Sequence, residues 1–449
     1  MGLQLVILAA GQGKRMLSDR PKVLHEVAHA PLLHHSLRAG LSLSPERVVV
    51  VTGHGGQAVG EAARSVFPEA AIAEQAERLG TGHAVLQAMP ALGGAGGHTL
   101  VLYGDTPLLR PDTLRAMLKA LANHAIVVLG FEAADPGRYG RLVRAADGSL
   151  ERIVEYKDAS PAERTITLCN SGVIACATAR LAALLPQITN DNAAGEYYLT
   201  DLPDLARGQG ESCGIVLCDE AETLGVNSRT DLAAAETAFQ ARARRDALAA
   251  GVTLTAPETV HFAWDTVLGR DVTVEPMVVF GPGVTVETGA HIRAFSHLEG
   301  AHVSADAVVG PYARLRPGAE IADGAKIGNF VEVKAAEIGP GAKVNHLSYV
   351  GDASVGAGAN IGAGTVTCNY DGVMKHRTEI GDAAFIGSDT MLVAPVRVGA
   401  RAMTASGSVI TENVPDDALA LGRARQTNKP GLAAKLMARL RAIKAELTP

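Results

Sequence analysis

From about residue 286 to residue 398, small aliphatic side chains recur every six positions. Ile292 and Leu298, then Val309, Leu315, Ile321, Ile327 and Val333, then Val344 and Val350, and later Ile380, Ile386, Leu392 and Val398 carry the period. A helix repeats near 3.6 residues and a half-buried strand near 2, so neither accounts for it. Six suits a chain that makes one side of a three-sided coil and then turns. Between the aliphatic marks stand Gly318, Asp323-Gly324, Gly339, Gly341, Gly356 and Gly358, which accept the positive φ that corners need. The expected product is a parallel β-helix whose coils bury their aliphatic faces by stacking on one another. The period does not set its hand, because parallel crossovers are ordinarily right-handed. Taken alone, such a solenoid is a scaffold.

A chain of 449 residues exceeds one ordinary domain, so a second core is expected. A net charge of −6 with no basic run in the body argues against nucleic acid and leaves small molecules as ligands. Five cysteines without paired metal spacing read as reduced thiols of a cytoplasmic protein. The N-terminus lacks a basic leader, and no apolar run approaches the length of a membrane span.

Residues 3–10 form an apolar run that ends in Gly11-Gln12-Gly13-Lys14-Arg15-Met16, a buried strand entering a glycine loop. It lacks the third glycine of a dinucleotide fingerprint and the Lys-Ser/Thr of a P-loop, and in isolation would be an ordinary turn. Arg15 and the nearby Pro21-Lys22 change that, since cations beside free amides suit a triphosphate. Strands at 47–52, 99–103 and 126–131 alternate with helices at 57–66 and 112–121. This predicts an α/β sheet covered on both faces, with ligands at the carboxyl ends of its strands. Two clusters fall at such ends: the polar turn from Gln75 through Gly80 and Thr81, and Tyr103-Gly104-Asp105. A lone Asp is most often a cap. After a strand, beside a phosphate loop, Asp105 is better placed as a magnesium ligand, and Asn227 offers a matching amide oxygen.

Residues 229–251 are rich in Ala, Arg and Glu, with Leu232, Ala235, Phe239 and Ala243 spaced for one helical face. They read as a connecting helix closed by Gly251. Within the coils, Arg316, Glu332, Lys334, His346 and Tyr349 put functional side chains where the repeat wants small ones. Cys368-Asn369-Tyr370-Asp371-Gly372-Val373-Met374-Lys375-His376 breaks the period and must loop out. A histidine suits proton removal from an amine attacking a thioester, and cations beside it suit a phosphate. The tail beyond Pro430 is a basic amphipathic helix, read as a solvated face.

The run Leu8-Ala9-Ala10-Gly11, Gly13, Arg15-Met16 followed by Pro21-Lys22 resembles the signature of sugar-1-phosphate nucleotidyltransferases, and residues 252–420 resemble the left-handed β-helix acyltransferases. Together, nearly end to end, the chain is similar to the bacterial family that joins N-acetylglucosamine-1-phosphate uridylyltransferase to glucosamine-1-phosphate N-acetyltransferase. The resemblance implies a Rossmann-like uridylyltransferase domain at 1–228, a linker helix at 229–251, the left-handed parallel β-helix at 252–420 and an arm with a helix at 421–449. It implies Leu8, Ala9, Ala10, Gly11, Lys22, Gln75, Gly80 and Thr81 as UTP contacts, with Arg15 and Lys22 catalytic. Tyr103, Gly104, Asp105, Gly140, Glu155, Asn170 and Asn227 fall at N-acetylglucosamine-1-phosphate contacts, with Mg2+ on Asp105 and Asn227. In the β-helix it implies His346 as general base, and Arg316, Lys334, Tyr349 and Asn360 as glucosamine-1-phosphate contacts. Asn369, Tyr370, Ser388, Ser406 and Arg423 map to acetyl-CoA, in a site between chains of a homotrimer. Ser406 stands where the family commonly has a small apolar residue, and Arg425 where a proline is common.

The sequence leaves two rival readings: a monofunctional nucleotidyltransferase with a structural or effector-binding β-helix, and a non-enzymatic regulatory subunit of the same folds. His346, Lys334 and the loop at Asn369-Tyr370 count against the first. Lys22, Asp105 and Asn227 count against the second.

Overall fold

The computed structural model describes residues 2–447 apart from 54 and 95. It forms two compact units. The first runs to Asp246 and takes in Phe262–Asp265; the second holds Ala247–His261 and the chain from Thr266 onward.

The main sheet of the first unit has nine strands among the described residues: β1 (Leu3–Ala9), β2 (Arg47–Thr52), β3 (Ala71–Glu74), β4 (His98–Tyr103), β5 (Ile126–Glu132), β6 (Arg141–Arg144), β7 (Leu150–Val154), β8 (Leu168–Ala177) and β9 (Cys213–Leu217). Their order is β9-β5-β8-β4-β1-β2-β3, with the β6–β7 hairpin joined to β8. All contacts along that path are parallel except those of β8, which runs antiparallel to both β4 and β5. The continuous apolar strands follow from burial on both faces. In β1, Leu5 and Ile7 point into one core with Leu33, Leu37, Val59, Ala63, Leu114 and Met117 of α1 (Leu32–Leu41), α2 (Gly56–Val66) and α4 (Pro111–Ala120). Val6 and Leu8 point into the other, with Ala84 and Val85 of α3 (Thr81–Ala88), Leu181 and Leu184 of α5 (Thr178–Leu184), and Leu202 and Ala206 of α6 (Leu202–Gly208). Each buried Leu, Ile, Val or Met among these contributes about 1.5–3 kcal/mol by leaving water, and each alanine correspondingly less.

The register of β8 against β5 shifts between Asn170 and Ile174. The irregularity holds Gly172 at φ 90°, with the Tyr103 ring packed where a Cβ would stand. A bulge of this kind re-aims the strand where a site is built. Helix α7 (Arg229–Ala249) packs Ala235 and Phe239 against Met16, Val27, Leu32 and Leu108, with Leu232 and Ala243 beside them, as its spacing predicts.

The second unit is a parallel β-helix with three faces. The first face runs from Thr253–Leu254 to Leu419–Ala420 in ten strands. The second carries Arg314–Leu315, the first halves of Glu332–Ile338 and Tyr349–Val355, and Val366–Cys368. The third carries Ala319–Ile321, the second halves of those two strands, and Thr378–Ile380. Val309, Ile327, Val344, Ile361 and Ile386 stack in register on the first face and are buried, as the six-residue period requires. The corner after that face is turned by non-glycine residues at positive φ: Phe295 (61°), Tyr312 (56°), Phe330 (56°) and Leu347 (49°). Phe295 and Tyr312 stack at 4.8 Å, and Tyr312 and Phe330 at 5.2 Å, while all four side chains stay exposed. Val344 and Ile361 are 17 positions apart, but Ile361 and Ile386 are 25 apart. The excess is the expected loop, closed by the His376 N–H donating to Asn369 O at 2.8 Å.

A final helix, α8 (Leu432–Leu447), has no buried residue. Among the described residues, no helix is long and apolar enough to cross a membrane.

Candidate active sites

In the first unit a cavity of about 280 Å³ opens at the carboxyl ends of β1, β3 and β4. Leu8, Ala9, Ala10, Gly11, Lys22, Gln75, Gly80, Thr81, Tyr103 and Asp105 all line it. The glycine loop folds tightly over Lys22: Gly13 has φ 62°, and a Cβ there would meet the Lys22 side chain at 2.6 Å. The Lys22 ammonium pairs with the Asp105 carboxylate and lies 3.0 Å from Asn227 Oδ1. Two links bring those distant oxygens together. The Val226 N–H donates to Asp105 O at 2.9 Å, and Asp231 in the first turn of α7 accepts the N–H groups of Asn227 (3.0 Å) and Ser228 (2.9 Å). That carboxylate caps the helix and fixes Asn227 in one step. Gln75 is buried, its amide donating to Gly80 O at 3.0 Å and lying 3.1 Å from His83 Nδ1. Arg15 is exposed on a short 3-10 turn and does not line the cavity.

Gly140, Glu155 and Asn170 come together beside it. The Asn170 N–H donates to Gly140 O at 2.8 Å, and the Glu155 carboxylate stands 3.5 Å from where a Cβ on Gly140 would be. Gly104 and Asn170 are buried. Burial pushes the Glu155 carboxyl up, the Thr200 hydroxyl pulls it partly back, and Asp158 and Glu196 push it further up. Burial also pushes the Tyr103 phenol up, with Glu155 and Asp105 adding to it. Arg141 is buried without a carboxylate partner among its hydrogen bonds. Its guanidinium donates to the carbonyls of Pro136, Gly137, Tyr139 and Arg164, shaping the loop that presents Gly140.

In the β-helix, His346 ends the first-face strand Lys343–His346 and is exposed at the corner. Its Nδ1 lies 2.7 Å from Asn329 Oδ1, and its carbonyl accepts the Ser348 hydroxyl at 2.8 Å. Arg316, Lys334 and Tyr349 belong to the second face, where Glu332 holds Arg316 at 2.7 Å. Gly351 follows Lys334 in register, and its missing side chain leaves room for the Tyr349 hydroxyl. The Asn369 amide bonds Asp352 and reaches Tyr349 Oη at 3.4 Å. Tyr370 is exposed, its hydroxyl donating to Gly372 O at 2.6 Å. Asn360 lies on the first face, beside Lys343 in register. Ser388, Ser406 and Arg423 are exposed, after the first-face strands Phe385–Ile386, Met403–Thr404 and Leu419–Ala420.

Three charged residues that the motifs left unassigned stand at these sites. Arg78 and Glu196 line the first cavity; Arg78 lies inside the polar turn from Gln75 to Thr81, and charge was the available signal for both. Lys375, in the looped-out segment, approaches Lys334 closely enough that this neighbour's hydrogen bond and charge lower its pKa.

A MobA-like NTP transferase domain matches residues 5–201. Among solved structures, UDP-glucose pyrophosphorylase complexed with UDP-glucose aligns with a TM-score of 0.44 at 17% identity, covering 54% of this chain and 100% of that one. Fold, site and domain match define the class: a nucleotidyltransferase continued into a β-helix of hexapeptide repeats. The bifunctional protein GlmU of Jannaschia sp. (strain CCS1) is 65% identical across 98% of this chain and 97% of its own length. That of Paracoccus denitrificans is 64% identical across 97% of each, and that of Ruegeria sp. (strain TM1040) is 65% identical across 99% of each. The chain belongs to the bifunctional GlmU family, and it is an enzyme with a uridylyltransferase and an acetyltransferase activity.

Proposed function

We propose that the β-helix transfers an acetyl group from acetyl-CoA to the amine of glucosamine-1-phosphate. The first unit then joins the product to UTP, giving UDP-N-acetylglucosamine and pyrophosphate. The observation that carries the second step is the meeting of Lys22 and Asp105, which line the cavity, with Asn227 from far along the chain, at the Lys22 ammonium.

Asp105 and Asn227 turn two hard oxygens toward one cation, here the Lys22 ammonium, and that donor set fits magnesium completed by phosphate oxygens and water. A bound magnesium would offset charge developing on the triphosphate. Lys22 and Arg15 pair with the phosphates, and the glycine loop offers them backbone N–H groups. Gln75, Gly80 and Thr81 read uracil, while Gly140, Glu155 and Asn170 hold the sugar. Its phosphate oxygen attacks the α-phosphorus as the bond to pyrophosphate breaks.

In the acetyl site, Asn329 Oδ1 accepts from His346 Nδ1, so Nε2 keeps its lone pair and serves as the base. The substrate amine attacks the thioester carbonyl carbon and its proton passes to Nε2; the carbon–sulfur bond breaks, and the imidazolium returns the proton to the departing thiolate. Arg316, Lys334 and Lys375 bind the sugar phosphate. Asn369, Tyr370, Ser388, Ser406 and Arg423 bind acetyl-CoA.

The working form is a cytoplasmic homotrimer. Arg316, Lys334 and Tyr349 share one face while Asn360 lies on another, which supports a site completed by a neighbouring copy. The exposed ladder of Phe295, Tyr312, Phe330 and Leu347 next to His346 supports an apolar contact there.

The test is to assay acetyl transfer and UTP-dependent pyrophosphate release separately in wild type, His346→Ala and Asp105→Ala. Each substitution is expected to abolish one activity and largely spare the other. Wild type without acetyl transfer to glucosamine-1-phosphate would overturn the reading, and pyrophosphate release that persists in excess chelator would overturn the metal assignment.

A further inference from the structure

The short segment from Tyr197 to Thr200 touches both halves of the nucleotidyl site. On one side, the Tyr197 N–H donates to Leu79 O at 2.7 Å, the Gly82 N–H donates to Tyr197 O at 2.8 Å, and the Leu199 N–H donates to the Thr81 hydroxyl at 3.0 Å. The approach is so close that a Cβ on Gly80, itself at φ 113°, would collide with the Tyr197 backbone. These bonds grip the turn that carries Gly80 and Thr81. On the other side the Thr200 hydroxyl, on a residue only 6% exposed, donates to Glu155 Oε1 at 3.1 Å. Four hydrogen bonds within four residues thus tie the turn read here as the uracil contact to the carboxylate read here as the sugar contact.

We propose that Thr200 is a positioning residue of the uridylyl reaction: anchored to the nucleotide turn, it aims the Glu155 carboxylate at the sugar of N-acetylglucosamine-1-phosphate. The inference rests on the reading of Glu155 as a sugar contact. Its physical basis is that a long, half-buried carboxylate has several rotamers, and a hydrogen bond from a fixed neighbour selects one before substrate arrives. With Asp158 and Glu196 close enough to repel it, the carboxylate has reason to turn away, and Thr200 is the side-chain donor that holds it.

Thr200→Val removes the donor at nearly constant shape, and Thr200→Ser keeps it. With the full chain, KM for N-acetylglucosamine-1-phosphate in Thr200→Val is expected to rise about tenfold, the size of one lost bond to a charged group. KM for UTP should stay within about twofold, Thr200→Ser should behave as wild type, and acetyl transfer should be unchanged in both. A sugar-phosphate KM in Thr200→Val within about twofold of wild type would overturn the inference. So would an equal loss in both KM values that Thr200→Ser fails to rescue. Glu155→Gln separates the two layers. If it leaves the sugar-phosphate KM unchanged, the reading of Glu155 fails; if it raises that KM while Thr200→Val does not, only the positioning role fails.

Discussion

His346 Nδ1 and Asn329 Oδ1 lie 2.7 Å apart on adjacent rungs of the first β-helix face, paired in register. Since the amide oxygen only accepts, it orients the ring and selects the tautomer with a free Nε2. Asn329→Ala should therefore lower kcat of acetyl transfer by about tenfold or more and leave the glucosamine-1-phosphate KM near wild type. Asn329→Asp, which still accepts, should retain more activity than Asn329→Ala. Steady-state kinetics on both variants decide this, and equal activity of Asn329→Ala and wild type would remove Asn329 from the mechanism.

Asp201 gives the first unit a pH dependence. Burial, helped by Asp204, Glu155 and Asp158, raises its carboxyl to about 6. Between the unfolded value of about 3.9 and that raised value, the native chain holds more protons than the unfolded one. Stability contributed by this group is therefore lost as pH rises through that window. Asp201→Asn should match wild type at about pH 4 and melt about 2 °C higher at about pH 7, a small shift because the group is half exposed. Thermal melts of the two proteins at both pH values provide the check.

Arg141 should be the residue in the first unit least able to change. Its guanidinium spans four carbonyls, and a lysine ammonium cannot reproduce that fork. Arg141→Lys is expected to cost about 2–4 kcal/mol by leaving buried carbonyls unpaired, and to raise the sugar-phosphate KM through Gly140. Urea unfolding together with kinetics tests it, and acetyl transfer at the wild-type rate is the internal control.

Much of this was legible in the chain. The six-residue period marks Val309, Ile327 and Val344, and the structure buries them in register because a coil has no other way to hide an aliphatic side chain. The apolar strand ahead of Gly11 and the acid after β4 were legible too, because strand ends are punctuated locally. What the sequence hid depends on contacts between distant segments. No local pattern marks the carboxylate that Thr200 meets until the segment from Tyr197 to Thr200 brings it to Glu155. Arg141 reads as a surface charge, and Asn329 as one polar residue in an irregular coil, because no local pattern marks which carbonyl or ring each will meet. Counting in sixes from Val344 also puts Tyr349 and Asn360 on different faces, a separation that the motif grouping concealed.

The loop between Cys368 and Arg377 tests whether scaffold and chemistry separate as the period implies. Ile361 pairs with Ile386 across 25 positions, whereas the coil before takes 17, and the loop closes on itself through the bond from His376 N–H to Asn369 O. Inside it, His376 lies 2.7 Å from Asp371, whose carboxyl it holds well below the usual carboxylate range along with the N–H groups of Met374 and Val373. The loop is thus ordered by its own contacts together with the bond from Asn369 to Asp352, and the coils on either side pair without it. Excising residues 369–376 restores the 17-position step, so the β-helix should still fold, with circular dichroism and melting close to wild type. Acetyl transfer should be lost, because Asn369, Tyr370 and Lys375 go with the loop, while uridylyl transfer continues. A chain that no longer folds would show that the loop supports the coil, and one that still transfers acetyl would show that these three residues are not its ligands.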